Sequence, residues 1–217
     1  MRRREFLQLV TIAQLPQAGR VVAVGDVHGD LDRFIDVISM AGLVEDGKSW
    51  TGSQAVLVQL GDVVDRGARS CQVIDFLIQL EKQAARAGGA VHVLLGNHEA
   101  KRMYGDFHDV APAEFQSFVT PKSERERDRL FDQELARQSA AGDLRRREDL
   151  SIHFRSRWEK DHPLGQVELA RAFAPKGQYG KWILGRPVLL RLGETLFVHA
   201  GISPKYSEWS EKIGRAS

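Results

Sequence analysis

The chain has 217 residues, 42% of them hydrophobic, which is enough for one domain with a substantial core. Its 31 basic and 29 acidic residues leave a formal net charge of +2, too small to favour nucleic acid or an anionic membrane as a partner. The single cysteine, Cys71, excludes an intramolecular disulfide and is expected to be a packed thiol. The sequence contains no run of about 18 apolar residues, so we expect no membrane-spanning helix. We therefore expect one domain over residues 1–217, and composition does not specify its oligomeric state.

The amino terminus allows two interpretations. Arg3 and Arg4 precede a short apolar stretch, in the manner of a twin-arginine export signal. Polar side chains at Gln8, Thr11 and Gln14 interrupt that stretch, and no A-x-A cleavage pattern follows it. We therefore expect residues 1–19 to form a tail or a leading helix of a cytoplasmic protein, with export as the alternative.

Strand and helix patterns alternate from residue 21 onward. The β-branched run Val21–Val24 predicts a strand, and apolar residues at helical spacing over residues 31–43 predict a helix. The stretch "AVLVQLGD" at 55–62 predicts a second strand, residues 71–88 a second helix, and "AVHVLLGNHE" at 90–99 a third strand. Strands separated by helices predict an α/β fold with a parallel sheet.

The character of the sequence changes over residues 113–173, which are charged and favour helix. Acidic residues interleave with the arginines there, so we expect a solvated helical insertion rather than a nucleic-acid surface. Farther along, "RPVLLRLGETLFVHAGI" at 186–202 predicts two strands around a turn at Gly193. The second of these strands ends at His199.

Each of the first three predicted strands ends in a polar cluster flanked by glycine. The clusters are "GDVHG" at 25–29, "GDVVDRG" at 61–67 and "GNHE" at 96–99. Ligands bind beyond the carboxyl ends of the strands in open parallel sheets, so we expect the clusters to converge. Aspartate, asparagine and neutral histidine are ordinary ligands for divalent metals, so the pattern predicts a metal site. The candidate ligands are Asp26, His28, Asp62, Asn97 and His199.

These residue types also predict a chemistry. A carboxylate that bridges two ions about 3.5–4 Å apart serves phosphoryl transfer, and Asp62 is the expected bridge. Arg66 offers a planar pair of donors for phosphate oxygens. Strand alternation after Asn97 should turn His98 toward the leaving group, where Asp65 would hold it protonated as a general acid. The expected nucleophile is a metal-bound hydroxide.

The clusters "GDVHG", "GDVVDRG" and "GNHE", followed by "FVHAG" at 197–201, resemble in this order the signature of the phosphoprotein phosphatase (PPP) family of dinuclear metallophosphoesterases. The continuation "GDFHDV" at 105–110 and the long helical stretch before "RPVLL" resemble the Shewanella-like (Shelph) branch of that family. The resemblance implies a calcineurin-like β-sandwich flanked by helices. It also implies two divalent ions, which are manganese, iron or zinc, with manganese favoured.

The resemblance further implies a role for each motif residue. It places Asp26, His28 and Asp62 on the first ion, and Asp62, Asn97 and His199 on the second. It assigns Arg66, together with Asn97, to the substrate phosphate, and the pair His98 and Asp65 to protonation of the leaving group. The activity it implies is hydrolysis of phosphate monoesters, of a phosphoprotein or phosphopeptide substrate, by metal-bound hydroxide.

The chain departs from the family pattern after "HAG". The family adds a further metal-binding histidine there, and usually another phosphate-binding arginine, whereas "ISPKYSEWSEKIGRAS" contains no histidine. We therefore expect the carboxyl-terminal part of the family domain to be missing, and a catalytically impaired phosphatase-like binding module stays open as an alternative. A dinucleoside polyphosphate hydrolase is a second alternative, although such enzymes usually carry glutamine in place of His28. The sequence does not specify whether serine, threonine, tyrosine or a small molecule bears the phosphate.

Overall fold

The computed structural model describes residues 10–13, 19–140 and 151–204. The strands are β1 Val10–Ala13, β2 Val21–Val24, β3 Val44–Glu45, β4 Ser49–Trp50, β5 Val56–Gln59, β6 Ala90–Val93, β7 Leu189–Leu192 and β8 Thr195–Val198. The helices are α1 Leu31–Met40, α2 Ser70–Arg86, α3 Asn97–Tyr104, α4 Pro112–Ser117, α5 Ser123–Ala140, α6 Ser151–Asp161, α7 Gln166–Phe173 and α8 Gln178–Leu184.

Two three-stranded sheets form the centre of the fold. In the first, β5 lies between β2 and β6, and all three strands run parallel, with Val22 beside Leu57 and Leu57 beside Val91. In the second, β7 lies between β1 and β8; it pairs parallel with β1 and antiparallel with β8. The parallel order of β2, β5 and β6 places their carboxyl ends at one edge, as the sequence predicts.

Alternate residues of β5 serve the two faces of the first sheet. Val56 and Val58 pack against Leu190 and Leu192 of β7, which joins the sheets into a sandwich. Leu57 belongs to the larger core, which α1 and α2 enter with their own apolar faces. The predicted α/β fold, a β-sandwich flanked by helices, is confirmed.

The described residues of the predicted insertion are helical. Phe131 of α5 packs edge-on against Trp158 of α6, with ring centroids 5.2 Å apart, and also contacts Phe154. Leu169 and Phe173 of α7 belong to the larger core and connect the insertion to the rest of the fold. None of the described helices combines the length and the apolar character that a membrane span requires.

The amino terminus differs from the sequence prediction of a leading helix or tail. Residues 10–13 form the strand β1, which pairs with β7. Its partner strand comes late in the chain, so local sequence patterns do not reveal the pairing. The arginines of the twin-arginine pattern lie outside the described residues.

Candidate metal centre

The loops that follow β2 and β5 are joined by backbone hydrogen bonds. The amides of Val27 and His28 both donate to the carbonyl oxygen of Asp62, at 3.0 and 2.9 Å, and the amide of Gly29 donates to Val63 at 2.9 Å. The amide of Gly67 returns a bond to the carbonyl of His28 at 2.8 Å. The first two polar clusters therefore form one rigid edge beyond the sheet.

Several residues of this edge have an unusual backbone conformation. His28, Asp62, Asp65 and Arg66 have φ values of 49°, 57°, 71° and 62°, in the left-handed region that residues with a Cβ rarely adopt. The surrounding hydrogen bonds hold these conformations, which is typical of functional sites. Gly96 allows the third cluster to approach, because a Cβ at this position would lie 2.2 Å from Oδ1 of Asp62.

The Glu99 carboxylate ties the third cluster to the second. It accepts hydrogen bonds from the amides of Gly96, Asp62 and Val63, each at 2.8 Å, and from the amide of Val64 at 3.3 Å. Burial raises the pKa of Glu99, and the bonds from the Asp62 and Gly96 amides oppose that rise. Sequence reasoning gave Glu99 no role, although a glutamate three residues after a helix-capping position is a known signal.

His28 presents one ring nitrogen to the site. Its Nδ1 lies 2.9 Å from the carbonyl oxygen of Val64; a carbonyl only accepts, so Nδ1 carries the proton. The other nitrogen, Nε2, is buried and has no hydrogen-bond partner among the described residues. It lies 3.5 Å from Oδ2 of Asp26 and 3.9 Å from Oδ2 of Asp62. A neutral imidazole held in this way is arranged to bind a metal.

His199 is also oriented by a hydrogen bond from Nδ1 to a backbone carbonyl. Its Nδ1 donates to the carbonyl of Leu60 at 3.0 Å, and its Nε2 lies 3.0 Å from Oδ1 of Asn97 and 3.3 Å from Oδ2 of Asp62. Donor atoms of Asp26, Asp62 and His199 all lie within 4.8 Å of one another. Asp62 is thus the centre of the cluster, and the structure brings all five predicted ligands together.

The pair predicted to protonate the leaving group is also assembled. His98 Nδ1 lies 2.7 Å from Oδ2 of Asp65, and both side chains are at most 2% exposed. Its Nε2 is 3.4 Å from Nη2 of Arg66, whose side chain is exposed. The prediction that strand alternation separates Asn97 from His98 was wrong. The strand β6 ends at Val93, and both residues lie in the first turn of α3, where successive side chains point in different directions around the helix axis.

A second layer of buried charge lies behind Asp65, and sequence reasoning missed it. Arg102 donates from Nε to Oδ1 of Asp65 at 2.5 Å and from Nη2 to Oε2 of Glu114 at 2.7 Å. Burial raises the pKa of Glu114, and the Arg102 charge and the Ser70 hydroxyl oppose the rise. The sequence contains one signal, since Arg102 follows His98 by four residues and so shares its helix face.

Asp109 positions the backbone of Arg66. Its carbonyl oxygen accepts the Arg66 amide at 2.8 Å, while its side chain pairs with Lys101 at 2.6 Å. The bond to Lys101 holds the pKa of Asp109 below its usual range. The loop before α4 therefore contributes to the site without supplying a predicted ligand.

The chain matches the family model for calcineurin-like phosphoesterases over residues 19–211. It is 40% identical over 99 residues to Shewanella-like protein phosphatase 2 of Arabidopsis thaliana, a match that covers 46% of this chain and 25% of that protein. It is 35% identical over 100 residues to Shewanella-like protein phosphatase 1 of Plasmodium berghei, covering 46% and 28%. Each match thus spans less than a third of the relative.

A solved structure shows the same architecture. The cold-active protein-tyrosine phosphatase of a psychrophilic Shewanella species superposes with a TM-score of 0.59 at 23% identity, covering 92% of this chain and 46% of that one. At this identity the likeness concerns the fold. The family match contains every strand-end cluster of the candidate metal centre, and this chain belongs to the calcineurin-like phosphoesterase family.

Proposed function

We propose that the chain is a metal-dependent phosphatase that hydrolyses phosphate monoesters, and that its substrates are phosphoproteins. The observation that carries the proposal is Nε2 of His28. This atom is buried and unpartnered between the carboxylates of Asp26 and Asp62, while the Val64 carbonyl fixes the proton on Nδ1. Leaving such an atom unsatisfied costs about 1–3 kcal/mol, and a divalent cation in this position would remove that cost.

The donor set fits two divalent ions, for which we favour manganese. Nitrogen, carboxylate and amide oxygen ligands together suit borderline divalent metals. When bound, such ions lower the pKa of coordinated water toward about 7 and polarise phosphoryl oxygens. The ligands would be Asp26, His28 and Asp62 for one ion and Asp62, Asn97 and His199 for the other.

Arg66 would bind the phosphate. Its exposed guanidinium offers two parallel donors to two phosphate oxygens, and its Nη2 lies 3.4 Å from Nε2 of His98. The exposed amide of Asn97 can donate to a third oxygen. A phosphate held in this way has its ester oxygen close to the His98 ring.

His98 supplies a proton to the leaving group. As the bond between phosphorus and the ester oxygen breaks, Nε2 of His98 gives its proton to that oxygen, and the ring becomes neutral. Asp65 accepts the hydrogen bond from Nδ1 at 2.7 Å, so it keeps a proton on Nδ1 and fixes the orientation of the ring. The backbone amide of His98 donates to Oδ1 of Asp62 at 2.9 Å, which fixes the ring relative to the proposed bridging carboxylate.

The open mouth of the site supports a macromolecular substrate. The side chain of Asp26 is 53% exposed, and Arg66 and Asn97 are exposed as well. A phosphate on the surface of a protein can therefore reach the ligands without entering a deep cavity. The names of the two curated relatives, both protein phosphatases, support the same substrate class.

Hydrolysis of p-nitrophenyl phosphate by the manganese-loaded chain tests the proposal. We expect turnover with about two ions per chain, and we expect Asp62→Asn to lower it by at least about 100-fold, because even partners of metal ligands contribute 10–100-fold. Asp36→Asn, on the exposed face of α1, is the matched control and should change neither turnover nor metal content. Equal activity of Asp62→Asn and the wild type would contradict the proposal.

Two further outcomes would replace the proposed function by another. Binding of inorganic phosphate without turnover by the metal-loaded chain would favour a binding module. Faster cleavage of a dinucleoside tetraphosphate than of phosphoserine, phosphothreonine or phosphotyrosine peptides would overturn the substrate class.

A further inference from the structure

The carboxylate of Asp65 is held on both of its oxygens. Oδ2 accepts from Nδ1 of His98 at 2.7 Å, and Oδ1 accepts from Nε of Arg102 at 2.5 Å. The Arg102 side chain is fully buried, and that of Asp65 is 1% exposed. Because each oxygen has its own donor, the plane of this carboxylate cannot rotate without breaking one of the two bonds.

Hydrogen bonds also close a ring behind Asp65. Glu114 Oε2 accepts from Nη2 of Arg102 at 2.7 Å and from the Ser70 hydroxyl at 2.8 Å. The Ser70 oxygen in turn accepts the backbone amide of Asp65 at 3.1 Å. The ring therefore fixes both the side chain and the backbone of the residue that holds His98.

Stability does not account for this ring. Replacing a buried group of charges by packed apolar side chains is often neutral or stabilising, because desolvation offsets the attraction between the charges. The contact of Arg102 with the Phe173 ring at 4.7 Å is favourable, but its buried Nη1 has no hydrogen-bond partner among the described residues, which is a further cost. These charges fix the orientation of Asp65, and apolar side chains in their place would not.

We propose that Arg102 is a positioning residue for leaving-group protonation, which acts on His98 through Asp65, and that Glu114 holds Arg102 in place. This inference rests on the proposed phosphatase function. Without Arg102 the Asp65 carboxylate can rotate, and Nε2 of His98 no longer stays aimed at the ester oxygen. Esters with poor leaving groups depend most on that proton, so their hydrolysis should slow most when Arg102 is replaced.

The test compares two esters in the manganese-loaded chain. The p-nitrophenolate ion leaves readily, whereas phenolate needs a proton. We expect Arg102→Gln to lower kcat for phenyl phosphate about tenfold more than for p-nitrophenyl phosphate, since small displacements of a catalytic group cost about that much or more. KM should change little for either ester, because Arg66 is untouched. An equal loss for both esters would show a structural role only and overturn the inference.

A matched control exists in the insertion. Arg155 also pairs with two carboxylates, those of Asp128 and Glu159, and lies 5.1 Å over the ring of Phe131. Its side chain is 44% exposed, unlike that of Arg102, and it lies far from His98 in the sequence. We expect Arg155→Gln to leave the ratio between the two esters unchanged. A changed ratio in this variant would show that the readout is not specific to Arg102 and would overturn the inference.

A milder variant decides the matter if Arg102→Gln does not fold. Glu114→Gln keeps the size of the side chain and an oxygen for Ser70, and it removes only the charge that holds Arg102. We expect the same selective loss with phenyl phosphate at a smaller size, about threefold. No selective loss in a folded Glu114→Gln protein would overturn the inference.

A metal-free readout separates this inference from the proposed activity. In protein labelled with ¹⁵N-histidine, the Nδ1 proton of His98 should be protected from exchange by Asp65, and His98→Gln assigns its signal. We expect Arg102→Gln to abolish that protection, and a signal that stays protected would overturn the inference. A wild-type chain without hydrolysis would instead overturn the proposed function while leaving this measurement of ring position intact.

Discussion

The metal centre and the helical insertion at 113–173 use charged residues in opposite ways, except at Glu114, whose buried carboxylate belongs to the ring behind Asp65. In the metal centre the residues Asp62, Asp65 and Glu99 are 1–3% exposed, and backbone amides and Arg102 donate to their carboxylates. In the insertion, pairs such as Glu126 with Arg129 lie near the surface. Surface pairs contribute about 0–1 kcal/mol, whereas removing one partner of a buried pair costs about 3–5 kcal/mol. Charge therefore orders the first region and keeps the second solvated.

The backbone shows the same contrast. Four non-glycine residues of the centre, from His28 to Arg66, adopt left-handed conformations. No described non-glycine residue of the insertion does so. Such conformations cost of order 1–3 kcal/mol each and persist only where the surroundings hold them. The hydrogen bonds of Glu99 to the Asp62 loop supply much of that support, so we expect this loop to be the most sensitive part of the fold.

Of the changes compared between the two regions, Glu99→Gln should lower the free energy of unfolding most. A glutamine has one accepting oxygen for the amides that Glu99 serves, and its NH₂ group faces an amide donor of Asp62 or Val63. We expect the free energy of unfolding to fall by about 3 kcal/mol, because at least one buried amide loses its partner. Urea denaturation measures this loss, and manganese content should fall with it as the Asp62 loop relaxes.

Glu124→Gln is the matched change in the other region. Glu124 is exposed in the first turn of α5, where water can solvate either side chain. We expect the free energy of unfolding of the Glu124→Gln protein to stay within about 0.5 kcal/mol of the wild-type value. Equal losses in the two variants would show that the contrast between the regions is wrong.

Phe131→Leu tests whether the regions are coupled. Phe131 contacts Phe154 and Trp158 within the insertion, and a smaller apolar side chain there should cost about 1 kcal/mol. Thermal unfolding detects that loss, and we expect turnover of p-nitrophenyl phosphate to stay within about twofold of the wild type. A parallel fall in turnover would indicate that the insertion supports the centre through α7.

The sequence predicted what local patterns encode. Continuous apolar runs ending in Gly-Asp revealed β2 and β5 and placed the candidate ligands at one edge, because parallel strands end together. The boundary between β6 and α3 was missed, since an apolar run continues past Val93 to Leu95 before the helix begins. The ring of Arg102 and Glu114 depends on how α4 packs against α2 and α3, and no spacing along the chain reports that contact.

The smallest expected effect concerns Cys71, which lies where the insertion at 113–173 contacts the residues behind the metal centre. Its Sγ is 4.0 Å from Oε1 of Glu114, and it lies in the first turn of α2. Burial, followed by the charge of Glu114, raises the pKa of the thiol from 9.0 to about 12. A pKa raised by folding stabilises the native state below about pH 9, and that contribution is lost as pH rises toward 12.

The same shift predicts how the thiol reacts. At about pH 9 the native chain should react slowly with iodoacetamide, since the thiolate is the nucleophile, whereas the urea-unfolded chain should react fast. Mass spectrometry of the alkylated protein measures both rates. Removing the neighbouring charge with Glu114→Gln should speed the native reaction only slightly, because burial is the larger cause of the shift. Fast alkylation of the native wild type would mean that the junction opens readily, and the insertion would then be only loosely joined to the metal centre.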